Sequence, residues 1–161
     1  MSVRFLTAVS GRAFNMRDRF GREIDYMRIS VIDSCNLNCY YCNPQDNDKK
    51  CQAINTLSVK KVFCIVRAAT RLGITHFRLT GGEPLLHPQI DEMVSQIKKI
   101  PGVRSVSLTT NAVLLAQHAK QLKEAGIDSI NVSLDTIDAS EYEHITKNRF
   151  FIKWSMESMP P

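Results

Sequence analysis

Long apolar runs are missing from this 161-residue chain: no stretch approaches the ~18 consecutive apolar residues that cross a bilayer, so no membrane span is expected. The N-terminus has no apolar core of the kind that directs secretion, which makes a reducing cytoplasm the expected compartment. Residues 1–17 carry Arg4, Arg12 and Arg17 without an acid, only a faint organellar-transit character. Charge of one sign does not dominate either. With 21 Lys+Arg against 16 Asp+Glu the net charge is +5, and neither nucleic acid nor a membrane surface is expected as a partner. A disulfide framework is not expected, because the five cysteines are odd in number and three of them fall within eight residues, which suits metal ligation better. The chain is also too short for a complete eight-unit barrel, which takes ~250 residues, so that fold can be present only in part. What is there is ordinary for a folded domain: 43% hydrophobic and 23% charged residues exclude wholesale disorder.

Beyond Arg22 the sequence reads as strand–helix units in series. Residues 27–33 form the first predicted strand, followed by a loop from Ser34 to Leu57 that contains Cys35, Cys39, Cys42, Pro44 and Cys51. Ser58 is a candidate N-cap for a helix with Val62, Phe63, Ile65, Val66 and Ala69 on its apolar side, ended by Gly73. A second strand over 74–80 runs into Gly81-Gly82-Glu83-Pro84. The next helix starts at Pro88 and has Ile90, Met93, Val94 and Ile97 as its apolar face. A third strand over 103–109, a helix over 113–125 capped by Gly126, a fourth strand over 129–135 and a short acidic helix over 139–146 complete the series. Such alternation implies parallel strands with right-handed crossovers.

Strand parity separates the two architectures this allows. Met27, Ile29 and Val31 alternate with Arg28 and Ser30, and Phe77 and Leu79 alternate with His76, Arg78 and Thr80. Val106 and Leu108 alternate with Ser107 and Thr109, and Ile130, Val132 and Leu134 alternate with Asn131, Ser133 and Asp135. A sheet covered by helices on both faces is nearly continuously apolar. One polar face on every strand predicts helices outside only and a concave, ligand-binding inside. The expected class is therefore α/β, a partial (β/α) TIM-like barrel of about four parallel strand–helix units.

The spacing Cys35-x3-Cys39-x2-Cys42 lies at the C-terminal end of the first strand, where parallel barrels place their chemistry. Structural zinc usually takes four ligands as two pairs, and only three cysteines cluster here. Three thiolates on an iron–sulfur cubane leave one iron open for a ligand. A zinc knuckle, or three unremarkable thiols, remains the alternative. Cys64, mid-helix beside Phe63, reads as a small core residue.

The cysteine triplet, Tyr41 just before its last member, and Gly81-Gly82-Glu83-Pro84 after the second strand resemble the radical S-adenosylmethionine enzymes. The resemblance implies that Cys35, Cys39 and Cys42 hold a [4Fe–4S] cluster and that S-adenosyl-L-methionine chelates its unique iron. Reductive cleavage of that cofactor would yield a 5′-deoxyadenosyl radical. Tyr41, Gly82 and Ser133 would contact the cofactor, the glycine pair allowing close approach of its amino group to the strand edge.

Phe20-Gly-Arg22, the run from Tyr26 to Val31, Arg78 through Leu86, Leu108-Thr-Thr-Asn111 and Asn131 through Asp135 narrow the resemblance to the GTP 3′,8-cyclase family of molybdenum cofactor biosynthesis. It covers residues 18–148 as a truncated core, with 1–17 as an N-terminal extension and 149–161 as a divergent tail. It implies conversion of GTP to (8S)-3′,8-cyclo-7,8-dihydroguanosine 5′-triphosphate. Arg28, Arg78 and Thr109 would contact GTP, and a flavodoxin- or ferredoxin-like protein would donate electrons. His76, Asn43 and Ala112 depart from the family pattern, where lysine, methionine and glycine are usual. His87, His118 and His144 read as surface or capping residues. The family's second half, with its further strand–helix units and second cysteine cluster, has no counterpart here. The chain is thus expected to be a fragment or split product, whose open barrel a partner chain would complete. Other radical S-adenosylmethionine maturases and a non-catalytic iron–sulfur remnant are the alternatives.

Overall fold

The computed structural model describes residues 16–42 and 55–148. The expectations for Asn43, Pro44, Cys51 and the tail over 149–161 lie outside the described residues.

Four strands and four helices alternate along the chain. They are β1 (Tyr26–Ser30), α1 (Val59–Arg71), β2 (His76–Thr80), α2 (Ile90–Lys98), β3 (Ser105–Thr110), α3 (Leu115–Ala125), β4 (Ser129–Val132) and α4 (Ala139–Thr146), with a 3-10 turn over Pro84–Leu86. The strands form one sheet in the order β1-β2-β3-β4, every neighbouring pair parallel. All four strands are shorter than their apolar patterns suggested. At β1 the cause is visible: Val31 N–H still bonds to the Thr80 carbonyl, but Ile32 leaves the sheet for an antiparallel bridge to Thr56.

The register fixes the rows of side chains. Ile29, Leu79, Leu108 and Ile130 stand side by side, as do Met27, Phe77 and Val106. Onto this face α1 sets Val62, Val66 and Ala69, α2 sets Ile90, Met93, Val94 and Ile97, and α3 sets Leu122, all in one buried cluster. Fully burying a side chain of this size stabilises by about 1.5–3 kcal/mol, so this face carries the core. The opposite face presents Arg28, Arg78, Ser107 and Ser129 in one row and Thr109 beside Asn131 in another. Helices on one face and polar rows on the other make this an open segment of a barrel.

The caps follow the sequence. Ser58 Oγ accepts the Lys61 N–H at 3.4 Å, and Gly126 closes α3 at φ +87°. Two positions on α1 differ from expectation. Cys64 is exposed, because it lies midway between Val62 and Val66 and therefore on the opposite side of the helix. Ile65, on the flank of the apolar stripe, is 40% exposed. His87, expected at the surface or as a cap, is buried at 2% exposure: its Nδ1 accepts the Gln89 N–H and its Nε2 lies 3.0 Å from the Leu57 carbonyl. His118 approaches Asp91 at 3.7 Å, and the His144 ring lies 6.5 Å from that of Tyr40.

The fourth helix differs from the other three. Instead of covering β4 from outside, α4 lies against the cysteine loop, where the Thr146 carbonyl accepts the Asn38 N–H and the Ile145 carbonyl accepts the Tyr40 N–H, both at 3.1 Å. The apolar side of β4 is correspondingly open, with Val132 37% and Leu134 40% exposed.

Candidate active site

Three segments meet at the C-terminal ends of the strands: the loop after β1, the Gly-Gly turn after β2, and the ends of β3 and β4. The loop after β1 is held from two sides. On one, the Gly82 N–H bonds to the Ile32 carbonyl and the Glu83 N–H to the Ser34 carbonyl, both at 2.8 Å. On the other, α4 makes the backbone bonds just described, and Asn148 Nδ2 donates to the Asn36 carbonyl at 3.1 Å.

These bonds give the glycine pair a reason other than the expected one. A Cβ on Gly81 would stand 2.3 Å from the Ile32 carbonyl oxygen, and one on Gly82 would stand 2.1 Å from that of Ser34. Both glycines make room for the root of the cysteine loop, so what approaches them closely is the chain's own backbone.

Cys35 and Cys42 are exposed and Cys39 is buried. Burial pushes the Cys35 thiol above its ordinary value; the Leu37 N–H works against this, while Glu83 and Cys42 add to it. Burial likewise raises Cys39, opposed by the nearby Tyr41 hydroxyl and reinforced by Cys42, Cys35 and Asp135. Cys42 therefore lies near enough to penalise the ionisation of Cys35 and Cys39, a penalty that a cationic centre among the three reverses. Among the described residues, no three His, Cys, Asp or Glu side chains are grouped so as to hold a single metal ion. A cubane makes a different demand, taking each thiolate on a separate iron, and a loop supplying three thiols fits that donor set.

Tyr41 crosses the mouth of the site. Its hydroxyl donates to Asp135 Oδ2 at 2.7 Å, joining the cysteine loop to the segment after β4. This bond, with burial second, raises the Tyr41 phenol well above its ordinary value, so the ring stays a neutral donor. Ser133, just past β4, is exposed, and its N–H bonds to the Thr110 carbonyl at 2.8 Å.

Below the mouth lies the polar face. Arg28 and Arg78 are direct partners on adjacent strands. Arg78 Nε donates to Ser107 Oγ at 3.2 Å and its guanidinium lies 5.5 Å from the Tyr26 ring centroid, while Arg28 Nε donates to Tyr26 Oη at 3.2 Å. Among the described residues no carboxylate pairs with either guanidinium. Like charges directly opposite destabilise a sheet unless an anion sits between them. Thr109 is half-buried on the same face. Arg28, Arg78 and Thr109 thus share one surface, below the segments that carry the cysteines, Tyr41, Gly82 and Ser133.

Sequence reasoning missed the side chain of Glu83, the amides of Asn36 and Asn111, and the docking of α4 on the cysteine loop, although the helix itself was expected over 139–146. Glu83 and Asn111 lay inside quoted motifs, yet nothing in a linear string shows which partners a buried carboxylate will find.

Comparison with known proteins gives the family. The family model of the radical SAM superfamily matches residues 29–159. The GTP 3′,8-cyclase of Pelotomaculum thermopropionicum is 46% identical over 132 residues, covering 82% of this chain and 41% of that protein. The GTP 3′,8-cyclase of Clostridium acetobutylicum is 44% identical over 131 residues, and that of Chlorobaculum tepidum 41% identical over 142 residues. The chain therefore spans about two fifths of the length of these curated relatives. Among solved structures, BtrN in complex with AdoMet and 2-DOIA superposes with a TM-score of 0.52 at 22% identity, over 73% of this chain and 46% of that one, a likeness of fold alone.

Proposed function

The chain belongs to the radical SAM superfamily, with a [4Fe–4S] cluster and S-adenosyl-L-methionine as its cofactors, and from that premise we propose that it serves GTP 3′,8-cyclisation, the conversion of GTP to (8S)-3′,8-cyclo-7,8-dihydroguanosine 5′-triphosphate in molybdenum cofactor biosynthesis. The observation that carries this reading is the pair Arg28 and Arg78, in register on the polar face with no carboxylate between them among the described residues. Two planar forks at this spacing suit the oxygens of a triphosphate. The names of the relatives supply the base.

Cys35, Cys39 and Cys42 would hold the cluster. When bound, cluster and cofactor supply one-electron reductive cleavage of a sulfonium, the source of a hydrogen-abstracting radical. The chain's own residues bind and orient. Tyr41, kept neutral by Asp135, offers an aromatic face for the adenine, Gly82 and Ser133 line the mouth beside the cofactor, and Thr109 offers a hydroxyl to the nucleotide. No side chain is given an acid–base role. Electrons come from a low-potential flavodoxin- or ferredoxin-like protein in the cytoplasm. A partner chain seated along β4 would complete the barrel, since β4, like β1, is an edge strand of the described sheet and its apolar side is open.

Anaerobic reconstitution with iron and sulfide tests this reading. The expected product is a brown protein that cleaves S-adenosylmethionine on reduction and binds GTP. Arg78→Ala should weaken GTP binding about tenfold or more, the loss of a charge-assisted hydrogen bond worth about 1.5–3 kcal/mol. A protein that stays colourless, or takes one tetrahedral zinc, overturns the assignment of the cysteines. Cluster formation and cofactor cleavage without any GTP binding overturn the cyclase reading alone.

A further inference from the structure

Glu83 is 1% exposed, and a carboxylate buried to that degree needs a full set of donors. It has them. Oε1 accepts the Leu85 N–H at 3.0 Å and the Thr110 hydroxyl at 2.7 Å, and Oε2 accepts the Asn111 N–H at 2.8 Å. The carboxylate thereby ties the turn after β2 to the end of β3 and sets the backbone of Asn111.

The Asn111 side chain then has one orientation available. Its Oδ1 accepts the Val113 N–H at 3.0 Å, which leaves Nδ2 to face the cysteine loop. There Nδ2 donates to Asn36 Oδ1 at 2.7 Å and stands 3.9 Å from Cys35 Sγ. The Leu37 N–H reaches the same sulfur at 3.4 Å. Two N–H dipoles are therefore directed at Cys35, one from the loop itself and one delivered from β3 through the buried carboxylate.

We propose that Asn111 is a positioning residue of the cluster site, whose amide, oriented by Glu83 and Val113, holds the loop at Asn36 and supplies a hydrogen-bond dipole to the Cys35 sulfur. The inference rests on Cys35 being a cluster ligand, as argued above. Hydrogen bonds to ligand sulfurs stabilise the more negative, reduced cluster and raise its potential, and such outer partners also orient the ligand. Removing the amide is expected to lower the potential without unfolding the chain.

Asn111→Leu removes the donor without adding charge, and Asn111→Asp keeps an oxygen for Val113 while removing the donor. Each full-length variant is reconstituted beside the wild type and compared in iron and sulfide content, thermal melting midpoint and midpoint potential by electron paramagnetic resonance titration. The expected result is a more negative potential in both variants, larger for Asp, at an unchanged melting midpoint. Failure of either variant to load while it melts like the wild type also supports positioning. A full cluster at wild-type potential in Asn111→Leu overturns the inference, as does loss of cluster that merely tracks a collapsed melting transition in both variants. A wild type that itself loads no cluster defeats the assignment of Cys35, a result distinct from these.

Discussion

Arg28 and Arg78 were recognisable in the string as polar members of alternating strands, but their meaning comes from register. Placed opposite each other, two guanidiniums cost stability in the empty protein and favour an anion when one binds. Ala112 shows a similar gap between identity and context. It lies at φ +64°, a left-handed conformation that costs a residue with a Cβ about 1–2 kcal/mol, and its N–H bonds to Thr110 Oγ1 at 3.0 Å. Glycine has no such penalty but loses more chain entropy on folding. Ala112→Gly is accordingly expected to stabilise the protein by about 0.5–1 kcal/mol, read as a higher midpoint in urea or thermal unfolding.

At the scale of elements, the contacts that join one segment to the next decide the geometry of the site. The Gly-Gly turn carries the cysteine loop on its backbone. In Gly82→Ala the new methyl would stand 2.1 Å from the Ser34 carbonyl oxygen, which a side-chain rotation cannot relieve. Overpacking of this kind costs about 1–3 kcal/mol. The expected outcome is a lowered melting midpoint together with reduced iron uptake on reconstitution. A second junction is Asp128, between α3 and β4, whose carboxylate receives Lys98 Nζ of α2 at 2.8 and 2.9 Å and the Val106 N–H of β3 at 2.6 Å. Burial alone would raise its pKa, but the Lys98 and Val106 bonds outweigh this and hold it below the ordinary carboxylate value. A depressed folded-state pKa stabilises above the unfolded pKa of about 4, and that contribution is lost as pH falls through the lower folded value. Asp128→Asn is expected to cost about 1 kcal/mol at pH 7, allowing for the partial exposure of the ion pair, and to cost progressively less below pH 4 in unfolding measurements made across that range.

For the molecule as a whole, core and chemistry are separated. The buried cluster between the sheet and α1, α2 and α3 includes none of the three loop cysteines. The scaffold does not depend on iron for its apolar burial. Chelating the metal from reconstituted protein should therefore leave the far-ultraviolet circular dichroism intact and lower the melting midpoint by only a few degrees, the linkage expected when a ligand is removed from a preformed fold. Complete loss of the unfolding transition on chelation would show instead that the cluster nucleates the domain. The open side of β4, with Val132 and Leu134 partly exposed, belongs to this scale as well. An edge strand with an open apolar side of this kind offers hydrogen-bonding and apolar complements to a further strand.

The alternation of strands and helices, the apolar stripes on α1 and α2, the caps at Ser58 and Gly126, and the division of each strand into an apolar and a polar face are all written in the chain's linear order. These are local properties: periodicity and cap chemistry act within a few residues and survive projection onto a line. It also displayed the cysteine spacing and the Gly-Gly-Glu-Pro turn, because those motifs are contiguous. It took the packed fold to turn Cys64 to solvent, to set the glycine pair against the backbone of Ile32 and Ser34, and to clamp α4 on the cysteine loop instead of over β4. Only it joined Glu83, Asn111 and Asn36 into a brace behind Cys35. Each of these depends on which distant segment lies within a few ångströms, and for a buried carboxylate or a packed glycine that neighbour is set by the register of the whole sheet.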